Sequence, residues 1–305
     1  MLNPPLYIKD LIRAINRIEE PAFSAEQIQA RLGISTMSLL LDPNDPSKGV
    51  DEAALRRAVE VGARKIEVAA DYGPSHFPYR DLAATRRTRS FYEDNGAEIY
   101  SVHSPFGSDS SSWDMDDVKQ LIDAMGLIGA KVLLLHFAMW GKSRWQPCLD
   151  VIGKLVEWCR PHGIWISIET DTDMIHDANF VDWFDFPQVG ICCDTGHTGR
   201  TYGEFSPLTL EGNVYTCFST ATHKLNHLHL SDVAHYPLPQ GRRRKREHWS
   251  PGRGNHNWAA ILRVLKAMDY PGCFMFEIWT EDDERFDRLA EFPDRLVAGE
   301  LGTIM

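Results

Sequence analysis

Short apolar runs, polar loops and longer amphipathic stretches alternate along the chain from residue 34 onward. The apolar runs are six to nine residues long, and runs of this length between polar segments are typical of buried strands. The pattern returns eight times and predicts eight strands: ISTMSLLL (34–41), KIEVAA (65–70), EIYSVHSPF (98–106), KVLLLHFA (131–138), IWISIET (164–170), VGICCD (189–194), LNHLHLSD (225–232) and CFMFEIW (273–279).

The segments between these runs have the spacing of amphipathic helices. In DEAALRRAVEVG (51–62) apolar residues recur on one helical face and Gly62 marks the end, and NWAAILRVLKAM (257–268) repeats the pattern behind a capping Asn257. Nearly continuous apolar strands that are each followed by a helix indicate a parallel sheet covered on its outer side. The predicted fold class is therefore α/β, and eight such units in about 270 residues fit a closed (β/α)8 TIM barrel better than an open doubly wound sheet.

The segment before the first predicted strand is predicted to form an N-terminal helical extension. Apolar residues recur there on one helical face, and Ser24 with Gln27 can form a capping box before a helix that Gly33 ends. We expect the extension to close the bottom of the barrel or to join a subunit interface, and we assign no chemistry to it. The predicted division is residues 1–33 for the extension and residues 34–305 for a catalytic barrel domain.

The composition is that of a folded globular protein, with 43% hydrophobic and 25% charged residues. The 43 acidic residues exceed the 32 basic ones and give a formal charge of -11, which opposes attraction to nucleic-acid phosphates or to an anionic membrane. We therefore expect a small polar molecule as the partner, with no nucleic acid and no membrane.

The sequence contains neither a candidate membrane span nor a candidate signal peptide. No apolar run approaches the roughly 18 to 20 residues of a span, and MLNPPLYIKDLIR lacks the cationic start and apolar stretch of a secretory leader. The six cysteines form no CxxC pair and mostly fall inside apolar segments, where a reduced thiol behaves as a small hydrophobe. A cytoplasmic location is the resulting expectation.

Carboxylate and imidazole side chains stand at or near the ends of six predicted strands, whereas Glu67 lies in the middle of the second strand. The six are His103, His136, Glu169, Asp194, His229 and Glu277. In a (β/α)8 barrel these ends converge on the face that carries active sites. Taken singly, Asp194 can cap its turn, and His103 or His136 can be a hydrogen-bonded core histidine. The convergence of all six favours a functional site.

The chemistry that these residue types favour is metal binding. An ionised Glu at the end of an apolar strand is costly unless it is paired or bound to a cation. Carboxylates and imidazoles that converge without a thiolate suit a divalent ion of the manganese, magnesium, cobalt or zinc kind. We predict one such ion on Glu169, Asp194, His229 and Glu277, and these residue types leave the choice among the four metals open. The alternative is an acid/base pair of Glu169 and Glu277 without metal, which leaves the other two residues without a role.

The motifs SIET, CDTGHT, HLHLSD, PGRGNHNW and CFMFEIW, in this order, resemble those of the xylose isomerase-like barrel superfamily. That superfamily includes sugar-phosphate isomerases, ketose epimerases and apurinic endonucleases of the endonuclease IV type. The resemblance covers nearly the whole chain from residue 34. In the epimerase branch the matching Glu, Asp, His and Glu of strands five to eight hold one divalent metal, which implies that role for Glu169, Asp194, His229 and Glu277.

The resemblance also implies a mechanism. The metal holds a carbonyl oxygen and the neighbouring hydroxyl of a sugar, and so acidifies the hydrogen between them. One of the two catalytic residues, Glu169 and Glu277, removes that proton to give an enediolate. The other returns a proton to the neighbouring carbon or to the opposite face, which isomerises or epimerises the sugar. The implied activity is that of a divalent-metal-dependent sugar or sugar-phosphate isomerase or epimerase.

One departure from the family pattern concerns the sugar pocket. Ketose epimerases of this kind place an Arg shortly after the seventh-strand His motif, whereas this chain has His235 at the comparable position in SDVAHYPLP. The difference argues against ordinary free-ketose epimerisation. The alternative is a metal-dependent lyase or dehydratase that acts on a keto-sugar, a keto-inositol or a 3-keto-glycoside. Such an enzyme abstracts the same proton but expels a substituent, and His248 or His235 can protonate the leaving oxygen.

The endonuclease branch offers another alternative. Four histidines and the four predicted ligands fall near positions that hold a zinc cluster in that branch; the histidines are His103, His136, His197 and His248. One ligand is missing, because Arg246 stands where that branch has an Asp, and a cation there repels a metal. The acidic net charge also opposes a DNA-binding face. A non-catalytic sugar-binding or assembly protein is the remaining alternative.

The connection from Ser231 to His256 is long, as is typical of a lid or binding loop. Its basic run GRRRKREHW (241–249) fits three alternatives: a solvated loop without a partner, a site for an anionic substrate group, or a docking element for the acidic surface of another subunit. The last of these makes a homo-oligomer one expectation. The candidate substrate-binding residues or outer ligands are His103, His136, His197, His248, Arg253 and Trp140.

Overall fold

The computed structural model describes residues 14, 16–18, 21–137, 145–169, 180–183, 186–197, 224–233, 248–254, 256–279 and 282–301. Eight strands lie in this part of the chain. They are β1 (Leu32–Ser35), β2 (Lys65–Ala69), β3 (Glu98–His103), β4 (Val132–His136), β5 (Trp165–Glu169), β6 (Val189–Asp194), β7 (Leu225–His229) and β8 (Phe274–Phe276). Seven of them lie within the apolar runs that predicted them, and β1 overlaps its run.

The helices include α1 (Ala25–Gln29), α2 (Glu52–Glu60), α3 (Leu82–Asp94), α4 (Met115–Ile128), α5 (Trp145–Cys159), α6 (Trp258–Ala267) and α7 (Arg285–Val297). Side-chain caps fix where several of them begin. The predicted capping box of Ser24 and Gln27 precedes α1, and Asn257 caps α6 by accepting a hydrogen bond from the Ala260 amide. None of these helices combines the length and the apolar character that crossing a bilayer requires.

The strands form one parallel sheet in the order β7-β6-β5-β4-β3-β2-β1-β8. Leu230, just past β7, closes the sheet into a barrel. Its amide donates to the Met275 carbonyl over 2.7 Å, and its carbonyl accepts a hydrogen bond from the Glu277 amide over 3.0 Å. The predicted (β/α)8 TIM barrel is therefore confirmed.

The main core lies between the barrel and its surrounding helices. Trp258 of α6, Phe276 of β8 and Phe292 of α7 are fully buried, and their ring centroids are 5.3 to 6.0 Å apart. Ring pairs at these separations pack with favourable edge-to-face or tilted geometry. This cluster fixes the last helices against β8, the strand that leads into Glu277.

The first strand differs from its prediction. The apolar run predicts a strand over 34–41, whereas β1 ends at Ser35 and Thr36–Leu39 form a 3-10 turn. The polar residues within the run explain the difference, because the Ser35 side chain caps this turn and the Thr36 hydroxyl accepts a hydrogen bond from the Ala69 amide. Hydroxyl groups thus end the strand that the apolar pattern extends.

Gly33 does not end a helix, as the sequence predicts, but lies inside β1, and α1 ends before it. A Cβ atom at this position would lie 2.6 Å from Cys273 Sγ and 2.8 Å from the Lys65 carbonyl oxygen, so only glycine allows the neighbouring strands to approach. The boundary drawn between residues 33 and 34 consequently falls within a strand. Most of the predicted extension before residue 21 lies outside the described residues.

We expect Phe292→Ala to lower the free energy of unfolding by about 3–5 kcal/mol, because it opens a cavity between two buried rings. Urea unfolding followed by circular dichroism measures the change. Val297→Ala, at a 41% exposed position on the same helix, is the matched control and should change the same free energy by less than about 1 kcal/mol. Equal losses in both variants would contradict the assignment of this cluster as the core.

Candidate metal centre

Four polar side chains meet at the mouth of the barrel because their strands end at the same rim. Glu169, Asp194 and His229 are the last residues of β5, β6 and β7, and Glu277 directly follows β8. Asp194 and His229 are also paired in strand register. Parallel strands of a closed barrel direct their carboxyl ends to one face. The predicted convergence of these four residues is present.

The four side chains form a compact cluster, here called the central cluster: Glu169, Asp194, His229 and Glu277. One ligand atom from each lies within 4.8 Å of the ligand atoms of the other three. The His229 Nδ1 atom is 3.2 Å from Glu169 Oε1 and 3.2 Å from Glu277 Oε2. All four residues are at most 4% exposed, so the cluster is shielded from solvent.

Three buried carboxyl groups within this distance repel one another when ionised. At an effective dielectric constant of about 20, each ionised pair costs of order 3–4 kcal/mol. Glu169 Oε2 and Asp194 Oδ2 are buried and accept no well-aligned hydrogen bond from the described residues. Carboxylate oxygens and an imidazole nitrogen are suitable donors for a divalent cation, which would offset the repulsion. The donor set therefore fits one divalent metal.

The pKa values in the cluster differ with the neighbours of each group. Burial raises the pKa of the Glu169 carboxyl, but the imidazoles of His229 and His136 outweigh it and hold this pKa well below its ordinary value. Burial also raises the pKa of the Glu277 carboxyl, but the neighbouring imidazole of His229 has the larger effect and lowers this pKa. At Asp194 burial prevails over His197 and raises the pKa. Two of the carboxyl groups thus favour the ionised form.

His103 and His136, at the ends of β3 and β4, lie on one side of the central cluster. Their Nε2 atoms are 3.0 Å apart and lie 3.4 and 3.3 Å from Glu169 Oε2. Asp71, which the sequence analysis did not single out, approaches His103 Nδ1 to 3.5 Å. Burial lowers the pKa of His103, but Asp71 and Glu169 outweigh it and raise this pKa to about 10. Their predicted role as substrate contacts or outer ligands stays a prediction.

His197 and His248 lie on the other side. His197 Nε2 is 3.2 Å from Asp194 Oδ2, and His248 Nδ1 is 3.3 Å from Glu277 Oε2. Asp194 also accepts a hydrogen bond from the Gly196 amide through Oδ1 over 2.6 Å. Its turn-capping role and its place in the central cluster are therefore compatible, because they use different oxygens.

Arg253 lies outside the central cluster. The Arg253 guanidinium donates to Asp282 Oδ1 over 2.6 Å and lies over the Trp249 ring, so it forms a structural ion pair next to the mouth. Asp282 also accepts hydrogen bonds from the Ser250 amide and hydroxyl. Trp140, His235 and the basic run that contains Arg246 lie outside the described residues.

A second polar cluster, which the sequence analysis did not find, lies below the first. The Glu67 carboxylate of β2 contacts His229 Nε2 over 2.7 Å, His227 Nε2 over 2.9 Å and the Ser101 hydroxyl over 2.8 Å. Burial raises the pKa of Glu67, but His229 and His227 outweigh it and hold this pKa below its ordinary value. Two signals could have revealed the cluster: an acidic residue in mid-strand needs a partner, and His227 shares a strand face with His229.

A comparison with protein families assigns most of the chain to one family. The family described as the xylose isomerase-like TIM barrel matches residues 55–296. This range contains all four residues of the central cluster and most of the barrel. A comparison with curated proteins found no match.

Solved structures with the same architecture include several sugar epimerases. D-psicose 3-epimerase from Clostridium cellulolyticum H10, solved with D-tagatose, is 16% identical, with a TM-score of 0.63 over 90% of this chain and 100% of that one. A xylose isomerase-like TIM barrel protein from Mycobacterium smegmatis in complex with magnesium is 16% identical, with a TM-score of 0.64 over 90% and 97%. The 3-keto-D-glucoside 4-epimerase YcjR of E. coli is 12% identical, with a TM-score of 0.59 over 88% and 99%. At these identities the likeness establishes the fold.

We expect Asp282→Asn to lower the free energy of unfolding by about 2–4 kcal/mol at pH 7, because charge-assisted hydrogen bonds from Ser250 and Arg253 are lost. These donors outweigh burial and depress the pKa of Asp282 in the folded protein. The contribution is therefore fully present above the unfolded pKa of about 3.9 and is lost as the pH falls through the folded pKa.

Urea unfolding of both proteins between pH 7 and pH 3 measures this difference in stability. The difference should stay constant down to about pH 5 and shrink below about pH 4. Asp283→Asn, at the exposed neighbouring position, is the control and should stay within about 0.5 kcal/mol of the wild type. A difference that grows on acidification would contradict the assigned role of Asp282.

Proposed function

The chain belongs to the xylose isomerase-like TIM barrel family, and from this premise we propose that it is a divalent-metal-dependent sugar or sugar-phosphate isomerase or epimerase. The observation that carries the proposal is the central cluster of three carboxylates and one imidazole, buried at the mouth of the barrel. A TIM barrel places its reactive groups at this face. Two of the carboxylates, Glu169 and Glu277, supply the acid/base pair that the reaction needs.

The residues that would hold the metal are Glu169, Asp194, His229 and Glu277, with manganese as the first choice. A bound divalent ion would supply Lewis-acid polarisation of a substrate carbonyl and its neighbouring hydroxyl, which acidifies the hydrogen between them. Support comes from the two buried carboxylate oxygens that accept no well-aligned hydrogen bond from the described residues, and from the related fold solved with magnesium. Magnesium, cobalt and zinc are the alternative ions.

Glu169 and Glu277 divide the proton transfer between them. They come from β5 and β8, which are not neighbours in the sheet, so they approach the site from different directions. One carboxylate removes the proton next to the carbonyl, and the other delivers a proton to the adjacent carbon or to the opposite face. Return to the adjacent carbon isomerises the sugar, and return to the opposite face inverts one stereocentre. His103, His136 and His197 line the site as donors for substrate oxygens.

The structural neighbours support a sugar as the substrate class. One was solved with D-tagatose, and another acts on a 3-keto-D-glucoside. A lyase or dehydratase on a keto-sugar, a keto-inositol or a 3-keto-glycoside is the second candidate function. The position of His248 favours it. Its Nδ1 atom contacts the backbone carbonyl oxygen of Glu277 over 3.2 Å, and its Nε2 atom, 4.0 Å from Asp194 Oδ2, is left to protonate a departing oxygen. Net loss of water or of an aglycone from the substrate distinguishes this outcome.

A multinuclear phosphodiesterase of the endonuclease IV type is the third candidate. The observation in its favour is that two further groups of potential ligands flank the central cluster and share residues with it. These groups are His103, His136 and Glu169 on one side, and Asp194, His197 and His248 on the other. The net charge of -11 opposes binding of a polyanion, which ranks this candidate below the isomerase.

We expect Glu277→Gln to lower kcat by about 10³-fold or more while the fold is retained, because the amide has the same shape but cannot accept the proton. Turnover of a keto-sugar and the circular dichroism spectrum measure the two quantities. Glu284→Gln, at an exposed position that pairs with Arg288, is the control and should retain activity. Undiminished turnover in the Glu277 variant would contradict the proposed role of Glu277 in the acid/base pair.

We expect metal analysis of the purified protein to find about one divalent ion per chain, and incubation with keto-sugars in D2O to introduce solvent deuterium next to the carbonyl. The deuterium follows because the abstracted proton exchanges with solvent on the carboxylate. Close to three metal ions per chain would favour the phosphodiesterase instead. A metal-free protein that exchanges no proton on any keto-sugar would indicate a non-catalytic binding protein.

A further inference from the structure

We propose that Glu67 is a positioning residue that fixes the tautomer and orientation of His229, so that Nδ1 is the atom this histidine presents to the metal. The inference rests on the proposed function, since it concerns the same site. It adds a residue from β2, a strand that contributes nothing to the central cluster itself.

The first observation is that the contact between Glu67 and His229 joins two strands that are not neighbours in the sheet. Glu67 is in β2 and His229 is in β7, and β1 and β8 separate these strands in the sheet. The 2.7 Å contact between Glu67 Oε1 and His229 Nε2 therefore crosses the inside of the barrel, directly below the central cluster. Both side chains are fully buried, so no water competes for this hydrogen bond.

The second observation concerns the two ring nitrogens of His229. A neutral imidazole carries one N–H, and a nitrogen 2.7 Å from a carboxylate oxygen must be the donor. Nε2 is therefore protonated, and when a metal binds, Nδ1 is the nitrogen that is left to offer its lone pair. Nδ1 faces Glu169 and Glu277 at 3.2 Å each, which is the centre of the cluster. With the opposite tautomer, the Nε2 lone pair would face the Glu67 carboxylate and repel it.

The third observation is that Glu67 is itself held in place. Its second oxygen accepts hydrogen bonds from His227 Nε2 over 2.9 Å and from the Ser101 hydroxyl over 2.8 Å. Three donors compensate the cost of burying this carboxylate and leave it one orientation. The lengths of 2.7 to 2.9 Å are those of hydrogen bonds, so Glu67, His227 and His229 form a bonded network beneath the metal centre.

A carboxylate that accepts from a ligating histidine raises the basicity of the ligand and fixes its ring, and loss of such a partner costs about 10- to 100-fold in metal affinity. We therefore expect Glu67→Gln to weaken Mn2+ binding by about that factor, measured by calorimetric titration of the metal-free protein. Ser101→Ala is the matched control. It removes one hydrogen bond from the same carboxylate, leaves both imidazole contacts and should change the affinity by less than about threefold.

The tautomer is tested in the wild type, so the inference stays testable if the Glu67 variant does not fold. In protein labelled with 15N-histidine and saturated with Zn2+, NMR should show His229 protonated on Nε2, and Nδ1 should be the nitrogen whose resonance the added Zn2+ shifts. A proton on Nδ1 of the zinc-loaded protein, a zinc-dependent shift at Nε2, or unchanged Mn2+ affinity in a folded Glu67→Gln variant would overturn the inference.

Neither readout uses sugar turnover, so the two proposals fail separately. A wild type that binds Mn2+ with the expected tautomer but acts on no keto-sugar would overturn the proposed function and leave the role of Glu67 intact. An active wild type whose zinc-loaded form has His229 protonated on Nδ1 would overturn the role of Glu67 alone.

Discussion

The mutual repulsion of three buried carboxyl groups is the constraint on which the rest of this site depends. Glu169, Asp194 and Glu277 are held within 4.8 Å of one another, almost without solvent. An isolated pair of mobile side chains would move apart, but here each carboxylate is fixed at the end of a different strand of a closed barrel. The parallel hydrogen-bond ladders and the packed helices supply the rigidity that opposes the repulsion. A barrel of this kind can keep a strongly cation-binding geometry ready before any ligand arrives.

The polar groups are arranged in layers along the barrel axis. Lowest is the hydrogen-bonded network of Glu67, which no solvent reaches, and above it is the central cluster, joined to that network through the two nitrogens of His229. Further histidines, His103 and His248 among them, surround the cluster. The Glu67 network holds His229 of the central cluster in place, and the central cluster contacts the surrounding histidines. The groups proposed to contact substrate are therefore held by groups that do not contact it. This is the arrangement that proton transfer at a fixed carbon requires.

The sequence predicted the barrel well, because strands buried on both faces are apolar throughout and their ends are marked by polar residues. Because polar residues mark the ends of apolar strands, the sequence also placed Glu169 and Asp194 correctly at strand ends. It extended β1 too far, since an apolar count gives no weight to hydroxyl groups such as that of Thr36, which bond to the neighbouring strand. The role of Glu67 was not predicted, because its partners lie 160 and 162 residues away on the opposite side of the barrel. Local patterns carry no information on such a contact.

The central claim is that one divalent ion is held at the ends of β5 to β8. Anomalous diffraction from crystals grown with Mn2+ tests it most directly. The account predicts one strong peak about 2.0–2.3 Å from His229 Nδ1 and from carboxylate oxygens of Glu169, Asp194 and Glu277. A peak confined to His103 and His136, a peak on His229 Nε2, or no peak at the mouth of the barrel would contradict it.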